Sequence, residues 1–398
     1  MDMIENVRMA FQQHFGQREG LRYFFAPGRV NLIGEHIDYN GGHVFPCTLT
    51  LGTYAVAAKR SDRRVRMYSL NFEGEGVKEM DLSEIAYVEA DGWANYPKGV
   101  FRQLIEAGMN INEGFDIVYG GNIPNGAGLS SSASIELVTA VLVNEWYSLG
   151  ISKVDLALLT QRAENEFIGV NCGIMDQFSI SLGKEDHAIL LNCDTLHYEY
   201  SPFQQSGLSL VIANTNKQRT LADSKYNERR AECQAALDDL RKEMDLAHLC
   251  ELTVDEFDQH AHLIQDETSR KRARHAVTEN ERTLRAVQLL KDGKIEEMGA
   301  LLKASHLSLK NDYEVTGIEL DALAEAAWRH PGIIGSRMTG AGFGGCTVSI
   351  VKEEQLDSFI EETGAAYLKE TGMRASFYTA GIGGGARELT KEEMEWRF

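Results

Sequence analysis

The chain has no long apolar run, no closely spaced cysteines and no excess of positive charge. A membrane-spanning helix needs about 20 consecutive apolar residues, and the 398 residues contain no such run. The six cysteines are scattered, with neither a close pair nor a zinc-ligand spacing, which is typical of a reduced intracellular protein. The first residues are acidic, whereas a secretory signal begins with basic ones. These absences predict a cytoplasmic protein that does not enter a membrane.

The charge is strongly negative, with 40 basic and 59 acidic side chains and a formal net charge of −19. Nucleic acids and anionic membranes bind positively charged protein surface, so the composition argues against both as partners. The basic run 270–274 lies near Glu267, Glu279 and Glu281, and it favours a solvated helix face over a nucleic-acid patch. A phosphate ligand in so acidic a chain needs local neutralisation by backbone N–H groups, a few basic residues and Mg²⁺.

A segment rich in glycine and serine runs from Gly126 to Ser134, between a predicted strand at 115–119 and a predicted helix at 130–149. Small residues let the backbone approach an anion, and the free N–H groups at a helix start attract negative charge. No lysine follows the glycines, so the loop is not of the Walker type. The pattern predicts a phosphate-binding loop, and the alternative is a simple turn that Ser130 caps.

A second glycine cluster at 340–345 fits the spacing G-x-G-x-x-G. It leads into the strand-like run 346–351 rather than into a helix, which argues against a dinucleotide-binding oxidoreductase. The chain also lacks the H-R-D and D-F-G triplets of protein kinases. Two interpretations remain open: a tight turn, or a backbone loop that approaches a ligand or the first glycine segment.

Polar side chains crowd into the segment 26–43, which a proline and several glycines interrupt. Such a loop suits a ligand rich in hydroxyl groups, and a polar surface turn is the alternative. The side chains are those of Arg29, Asn31, Glu35, His36, Asp38 and Asn40. Further along, Asp176 lies among apolar residues after a glycine turn, where a carboxylate is either a structural cap or a functional group.

Predicted strands and helices alternate in groups, which indicates an α+β architecture in two lobes. Strand patterns dominate from about residue 22 to 68, residues 222–302 are mostly charged and helical, and strands return at 345–351 and 375–380. We place the boundary near residues 202–208. The sequence therefore predicts an N-terminal lobe over 1–205 and a C-terminal lobe over 206–398.

Together these segments resemble the galactokinases of the GHMP kinase superfamily. The family signature G-R-V-N-L-I-G-E-H-x-D-Y-N-x-G is matched at 28–42, P-x-G-A-G-L-S-S-S-A-S at 124–134, and G-A-G-F-G-G at 340–345. Segments 172–178 and 224–230 look like further family signatures, so the resemblance spans nearly the whole chain. It implies an N-terminal lobe like the second domain of ribosomal protein S5, a ferredoxin-like C-terminal lobe, and an active site between them.

The resemblance also implies roles for individual residues. Asp176 would be the catalytic base, and Arg29 would hold it as a carboxylate and offset charge on the transferred group. The residues implied to bind the sugar are Glu35, His36, Asp38, Gly173 and Tyr226. Those implied to bind the nucleotide are Ser69, Gly126, Ala127, Gly128, Leu129, Ser130, Ser131 and Ser132. Ser132 and Glu164 match the family's ligands for Mg²⁺, which prefers hard oxygen donors.

The implied reaction moves the γ-phosphoryl group of ATP to the C1 hydroxyl of D-galactose, with Mg²⁺ as cofactor. One alternative is a kinase for a related sugar such as N-acetylgalactosamine, because a single pocket wall decides whether a bulky C2 substituent fits. Another is a non-enzymatic galactose sensor. Such sensors lack part of the Ser-Ala pair that Ser132 and Ala133 supply here, which favours an enzyme. The residues leave the oligomeric state open, with a monomer as the expectation.

Overall fold

The computed structural model describes residues 3–124, 126–203, 207–217 and 222–395. The helices are α1 Met3–Phe15, α2 Asn95–Glu106, α3 Ser131–Tyr147, α4 Lys153–Arg162, α5 Met175–Leu182, α6 Ala222–Leu240, α7 Val254–His260, α8 Glu267–Lys291, α9 Ile295–Asn311, α10 Gly317–Arg329, α11 Leu356–Thr371 and α12 Lys391–Glu395. The strands are β1 Arg22–Asn31, β2 His43–Val44, β3 Pro46–Lys59, β4 Arg64–Ser69, β5 Lys78–Asp81, β6 Phe115–Gly121, β7 His187–Asn192, β8 Tyr198–Pro202, β9 Leu208–Asn214, β10 Ile333–Thr339, β11 Cys346–Lys352, β12 Ser376–Thr379 and β13 Arg387–Glu388.

The first sheet has the strand order β13-β1-β3-β6-β4-β5, and β7 joins it through β3 and also pairs with β2 and β8. Neighbouring strands are antiparallel, except for β4 and β6, which are parallel. Strand β3 is apolar along most of its length because both of its faces are covered. Tyr54 and Val56 belong to the apolar cluster that includes α1, whereas Ala55 and Ala57 belong to the cluster that includes α3.

Helix α3 contributes many of the residues in the cluster that also contains Ala55 and Ala57. Its residues from Ala133 to Asn144 are buried with one exception, as expected for a helix with apolar residues on all sides. Its position fixes the place of the glycine-rich segment, whose last residues, from Ser131 onwards, form the first turn of the helix. Neither α3 nor any other helix of the described residues is long and apolar enough to cross a membrane.

The second sheet is antiparallel and has the order β10-β11-β9-β12. Successive side chains of a strand point to opposite faces, and β9 shows this directly. Val211 packs with Ala327 of α10 and Phe359 of α11, whereas Ile212 lies in the cluster with Met298 of α9. Helices therefore cover both faces, and the predicted α+β class is confirmed.

The C-terminal tail returns to the first sheet. Strand β13 pairs with β1, with Phe24 opposite Glu388, and the Gly383 N–H donates to the Thr48 carbonyl oxygen at 3.0 Å. The last strand therefore belongs to the sheet that the N-terminal half builds. The division into 1–205 and 206–398 stays a prediction, because its boundary falls in residues 204–206, outside the described residues.

The basic run 270–274 differs from its predicted solvated face. Arg272 is 1% exposed, and its guanidinium donates to Glu232 at 2.7 Å and to Glu314 at 2.8 Å. Arg274 is exposed. The interpretation was wrong for Arg272, because α8 packs against both α6 and α9 and this side chain bonds to Glu232 of α6.

Candidate active site

The glycine-rich segment forms a tight loop, here called the glycine loop (residues 126–132). Gly126 and Gly128 have positive φ values of 68° and 74°, and Ser130 has a φ of 61°, a backbone region that side chains other than glycine rarely adopt. The Ser130 hydroxyl does not cap α3. It donates instead to Oδ2 of Asp176 at 2.5 Å. The alternative of a simple turn capped by Ser130 is therefore wrong.

The second glycine cluster lies against the glycine loop. Gly340 has a φ of 85°, and a Cβ atom at this position would lie 2.8 Å from the carbonyl oxygen of Gly128. Only glycine allows the two backbones to come so close. Of the two interpretations left open, the backbone loop that approaches the first glycine segment is confirmed.

Arg29 and Asp176 form the polar centre of the site. Arg29, near the end of β1, donates from Nε to Oδ1 of Asp176 at 2.8 Å and from Nη1 to the Gly128 carbonyl oxygen at 2.9 Å. Burial would lower the pKa of Arg29, but the carboxylates of Asp176, Glu35 and Asp38 outweigh it and raise the pKa. The Arg29 side chain is 4% exposed, and that of Asp176 is 27% exposed. The buried Arg29 thus orients the Asp176 carboxylate, and part of the carboxylate stays exposed.

The predicted sugar residues lie on the loop of residues 31–40, here called the polar loop, and on segments that face it. Glu35 Oε1 accepts hydrogen bonds from the Gly340 N–H at 2.7 Å and the Thr339 hydroxyl at 3.1 Å. A Cβ atom on Gly173 would lie 2.0 Å from Oδ2 of Asp38. Position 173 therefore needs glycine, because any side chain there would displace the Asp38 carboxylate.

The carboxyl group of Asp38 has a strongly shifted pKa. Burial is the main cause, and the nearby negative charges of Asp176 and Glu35 add to it, so that the pKa rises to about 7. Backbone N–H groups of Tyr39 and Met175 donate to the carboxylate and oppose the shift. A ligand whose hydroxyl groups donate to this carboxylate would have to displace a proton below pH 7.

His36 is held on both sides. Its Nε2 lies 3.2 Å from the Ala341 carbonyl oxygen, and its Nδ1 lies 2.8 Å from the Tyr39 hydroxyl. Since a carbonyl oxygen only accepts, Nε2 carries the proton and Nδ1 accepts from Tyr39. Burial lowers the pKa of His36 to about 3, so the ring is neutral. The ring of Tyr226 packs against it at 5.5 Å. Because both ring nitrogens are already bonded, His36 offers a sugar mainly a packing surface.

The two predicted metal ligands are in contact. The Ser132 hydroxyl donates to Glu164, which lies in a π-helical turn, Ala163–Ile168, that extends α4. Burial raises the pKa of Glu164 to about 7, and the negative charge of Asp176 adds to the shift. Within the described residues no three His, Cys, Asp or Glu side chains form a metal cluster. A hydroxyl and one carboxylate, completed by phosphate oxygens and water, are a set that Mg²⁺ accepts.

Two buried residues behind this pair were not predicted. Gln177 Nε2 donates to Glu164 at 2.6 Å, and Glu136 shares a hydrogen bond with Glu164. Oε1 of both Glu136 and Gln177 is buried without a hydrogen-bond partner. Glu136 lies four residues after Ser132 on α3, so helical spacing could have indicated that both side chains share a face.

A cavity of about 140 Å³ opens beside the start of α3. Ser69, Ser131 and Ser132 line it, so Ser69 lies beside the glycine loop, and its role in nucleotide binding stays a prediction. The sequence did not indicate the aromatic wall, which is formed by Phe72, Trp93, Tyr96 and Tyr119. The buried Nε1 of Trp93 has no hydrogen-bond partner. Flat rings around a small cavity suit a planar heterocycle.

The structure thus brings the predicted residues into one region between the glycine loop, the polar loop and α5. The family model of the galactokinase galactose-binding signature matches residues 9–59. The models of the GHMP kinases N terminal domain and of the GHMP kinases C terminal match residues 95–184 and 286–369.

Individual proteins match over nearly the whole length. The galactokinase of Bacillus subtilis is 60% identical over 390 residues, which cover 98% of this chain and 100% of the relative. That of Fusobacterium nucleatum is 55% identical and covers 97% and 100%. The structure of Lactococcus lactis galactokinase complexed with galactose has a TM-score of 0.96 and 47% identity, and covers 98% of this chain and 100% of that one.

More distant structures share the fold alone. The mevalonate kinase of Methanococcus jannaschii is 18% identical, has a TM-score of 0.66, and covers 92% of this chain and 100% of its own. Agreement with the galactokinases is much closer in both sequence and structure and extends from end to end. The chain is accordingly a member of the galactokinase family within the GHMP kinases.

Proposed function

We propose that the chain transfers the γ-phosphoryl group of ATP to the C1 hydroxyl of D-galactose, giving galactose 1-phosphate and ADP. The observation that carries the proposal is the Asp176 carboxylate, which Arg29 and Ser130 orient and which stays 27% exposed. The Lactococcus lactis relative, whose structure is so similar to this one, is complexed with galactose. The carboxylates of Glu35 and Asp38 support the same sugar as the substrate here, because a carboxylate accepts hydrogen bonds from hydroxyl groups.

In this mechanism Asp176 takes up the proton of the C1 hydroxyl as the new O–P bond forms and the bond between the γ-phosphorus and the β,γ-bridging oxygen breaks. A carboxylate has about four acceptor positions, so its hydrogen bonds with Arg29 and Ser130 leave room for the sugar hydroxyl. Arg29 offsets negative charge as it develops on the transferred group. The backbone N–H groups of the glycine loop, at the start of α3, favour the phosphates.

Ser132 and Glu164 would hold Mg²⁺, which supplies positive charge beside the phosphates in a chain of net charge −19. The aromatic cavity beside α3 supports a role in holding the adenine base, since planar rings pack well on Trp93 and Tyr96. We expect the protein to act in the cytoplasm; its six cysteines are scattered along the sequence without a close pair, in keeping with a reducing compartment.

The test is an ADP-release assay with MgATP and, separately, galactose, glucose, N-acetylgalactosamine, homoserine and mevalonate. We expect turnover on galactose well above the rest. Higher turnover on N-acetylgalactosamine would assign the chain to that related sugar instead. Binding of galactose and ATP without ADP release would contradict the enzymatic proposal and indicate a sensor.

Replacing Ser132 with alanine is expected to raise the KM for MgATP by about tenfold or more, because the metal has one hard oxygen ligand fewer. The affinity for galactose, measured by calorimetry without nucleotide, should stay within about twofold, since Ser132 bonds to Glu164 rather than to the polar loop. A drop in galactose affinity with an unchanged KM for MgATP would contradict the assignment of the metal ligand.

Galactose affinity is expected to depend on pH through Asp38. Its pKa is raised to about 7, so below pH 7 the carboxyl is mostly protonated and accepts hydroxyl hydrogen bonds less well. The affinity for galactose should therefore rise with pH and level off above pH 7. Well below pH 7, each further pH unit should lower the affinity by up to about tenfold. Calorimetry between about pH 5.5 and 8 tests this range around the shifted pKa.

The control is Asp38→Asn, which should bind galactose more weakly and lose this pH dependence, because an amide does not titrate in this range. A wild-type affinity that is constant across the range, or a dependence that persists in the variant, would show that Asp38 is not the group responsible.

A further inference from the structure

Buried polar side chains from the second half of the chain hold the backbone of the polar loop. Arg337, on β10, is fully buried. Its Nη1 donates to the carbonyl oxygens of Asn31 at 2.8 Å and Leu32 at 3.2 Å, and lies 3.5 Å from Oε1 of Glu35. The Arg337 guanidinium thus contacts two backbone carbonyl oxygens of the polar loop and the Glu35 carboxylate.

Glu279 of α8 holds the same loop from another side. Its Oε1 accepts hydrogen bonds from the Gly34 N–H at 3.0 Å and the Ser305 hydroxyl at 2.5 Å. Its Oε2 accepts from Arg282 at 2.8 Å. Burial alone would raise its pKa, but the neighbouring Arg282, His275 and Arg337 outweigh burial and lower the pKa to about 2. Glu279 is therefore a permanent anion that fixes the N–H of the residue preceding Glu35.

His275, one helical turn before Glu279, completes the arrangement. Its Nε2 donates to the carbonyl oxygen of Glu35 at 3.0 Å. Burial lowers its pKa to about 4, so the ring stays neutral near pH 7. The Thr339 hydroxyl, two residues after Arg337, lies 3.1 Å from Oε1 of Glu35 and accepts the Asn31 N–H at 3.1 Å.

These groups are costly to bury for packing alone. A buried charge destabilises a fold unless it is fully paired. Arg337 forms an ion pair with Glu35, 3.5 Å from Nη2 to Oε1, yet its Nε and Nη2 have no hydrogen-bond partner. Replacing such groups with apolar residues is often neutral or stabilising. Their shared feature is contact with residues 31–35, which indicates that they serve the site rather than the stability of the core.

We propose that Arg337, Glu279 and His275 are positioning residues for the sugar: they lock the polar loop so that the Glu35 carboxylate is presented to galactose in a fixed geometry. The proposal rests on the proposed function for the identity of the ligand. The three side chains come from α8 and β10, whereas the loop follows β1, so the sugar site is complete only when both sheets are assembled.

The test compares Arg337→Met and Arg337→Lys with the wild-type protein. For Arg337→Met we expect the galactose KM and Kd to rise by about tenfold or more, because a group that orients a binding residue from a buried network is removed. The KM for MgATP should change much less than the galactose Kd, since Arg337 bonds to the polar loop and not to the glycine loop. Arg337→Lys retains the charge without the planar fork and should lie between the two.

A matched pair at Thr339 keeps the test decisive if the Arg337 variants fail to fold. Thr339→Ser retains the hydroxyl that bonds to Glu35 and should weaken galactose binding far less than Thr339→Val does. Thr339→Val has nearly the same volume without the hydroxyl and should weaken galactose binding by about threefold to tenfold. Ser349→Ala is the control: it removes a buried hydroxyl of the same sheet that donates to Ser336 at 2.8 Å, and it should leave galactose binding unchanged.

Two results separate the possible failures. Variants with lower melting temperatures but wild-type galactose KM and Kd would overturn the positioning role and leave a structural one. A wild-type protein that binds galactose without turnover would overturn the proposed reaction, while the ratios of Kd between variants and wild type would still decide whether the loop is positioned from the C-terminal half.

Discussion

Replacing Asp176 with asparagine is expected to lower kcat for galactose by at least about 100-fold, the lower end for removal of an acid–base group. The amide can still accept the hydrogen bond from Arg29, whose Nε lies 2.8 Å from Oδ1 in the wild-type protein. It cannot take up the proton of the C1 hydroxyl. Asp176→Ala should lose as much activity and also stability, because it leaves the buried Arg29 cation unpaired. Measurements of kcat at saturating substrate concentrations and of melting temperatures separate the loss of activity from the loss of stability.

The matched control is Asp357→Asn, which makes the same change to an exposed carboxylate of α11 and should leave kcat at the wild-type value. A kcat near wild type for Asp176→Asn would remove this residue from proton transfer. Catalysis would then rest on alignment of the reacting groups, which a loose phosphoryl-transfer transition state allows.

Arg29→Lys is expected to lower kcat by about 100-fold, within the range for loss of one oriented electrostatic donor. Arg29 bonds in two directions at once, to Asp176 through Nε and to the Gly128 carbonyl oxygen through Nη1. A single ammonium group cannot reproduce this fork. Without this fork, the Asp176 carboxylate and the glycine loop are no longer held in a fixed position relative to each other. The measurement is kcat at saturating galactose and MgATP, with the galactose Kd measured separately.

Arg285→Lys, on the exposed face of α8, is the corresponding control and should behave as wild type. If Arg29→Lys were fully active, positive charge alone would explain the role of this position. The geometry of the guanidinium group would then carry no part of the catalytic effect.

The sequence predicted the residues that lie on contiguous motifs. The glycine loop, the polar loop and Asp176 each occupy a short segment. Glycine spacing and dense polar side chains indicated the two loops, whereas the role of Asp176 was implied by the family resemblance. The helix predicted at 130–149 is observed as Ser131–Tyr147. Its first residue differs because Ser130 adopts a left-handed conformation and bonds to Asp176 instead of capping the helix.

The residues that the sequence did not reveal act across long sequence separations. Arg337 bonds to a residue 306 positions away, and His275 to one 240 positions away. On α8, His275 and Glu279 occur in a very polar stretch, from which the sequence predicted exposure to solvent. Composition does not distinguish a polar face that meets water from one that meets another polar segment. The sequence did not reveal the aromatic wall of the cavity for a similar reason, since Phe72, Trp93 and Tyr119 come from separate elements.

The pairing of β13 with β1 has a consequence for synthesis on the ribosome. Until residues 387 and 388 emerge, β1 lacks its second neighbour and the ion pair that joins Arg22 to Glu388 at 2.6 Å. A strand edge left unpaired is a template for association with other chains. The first sheet therefore keeps an unpaired edge at β1 until residues 387 and 388 have been synthesised. Termination just before residue 387 should produce an aggregation-prone chain, even though the glycine loop, the polar loop and Asp176 are all present.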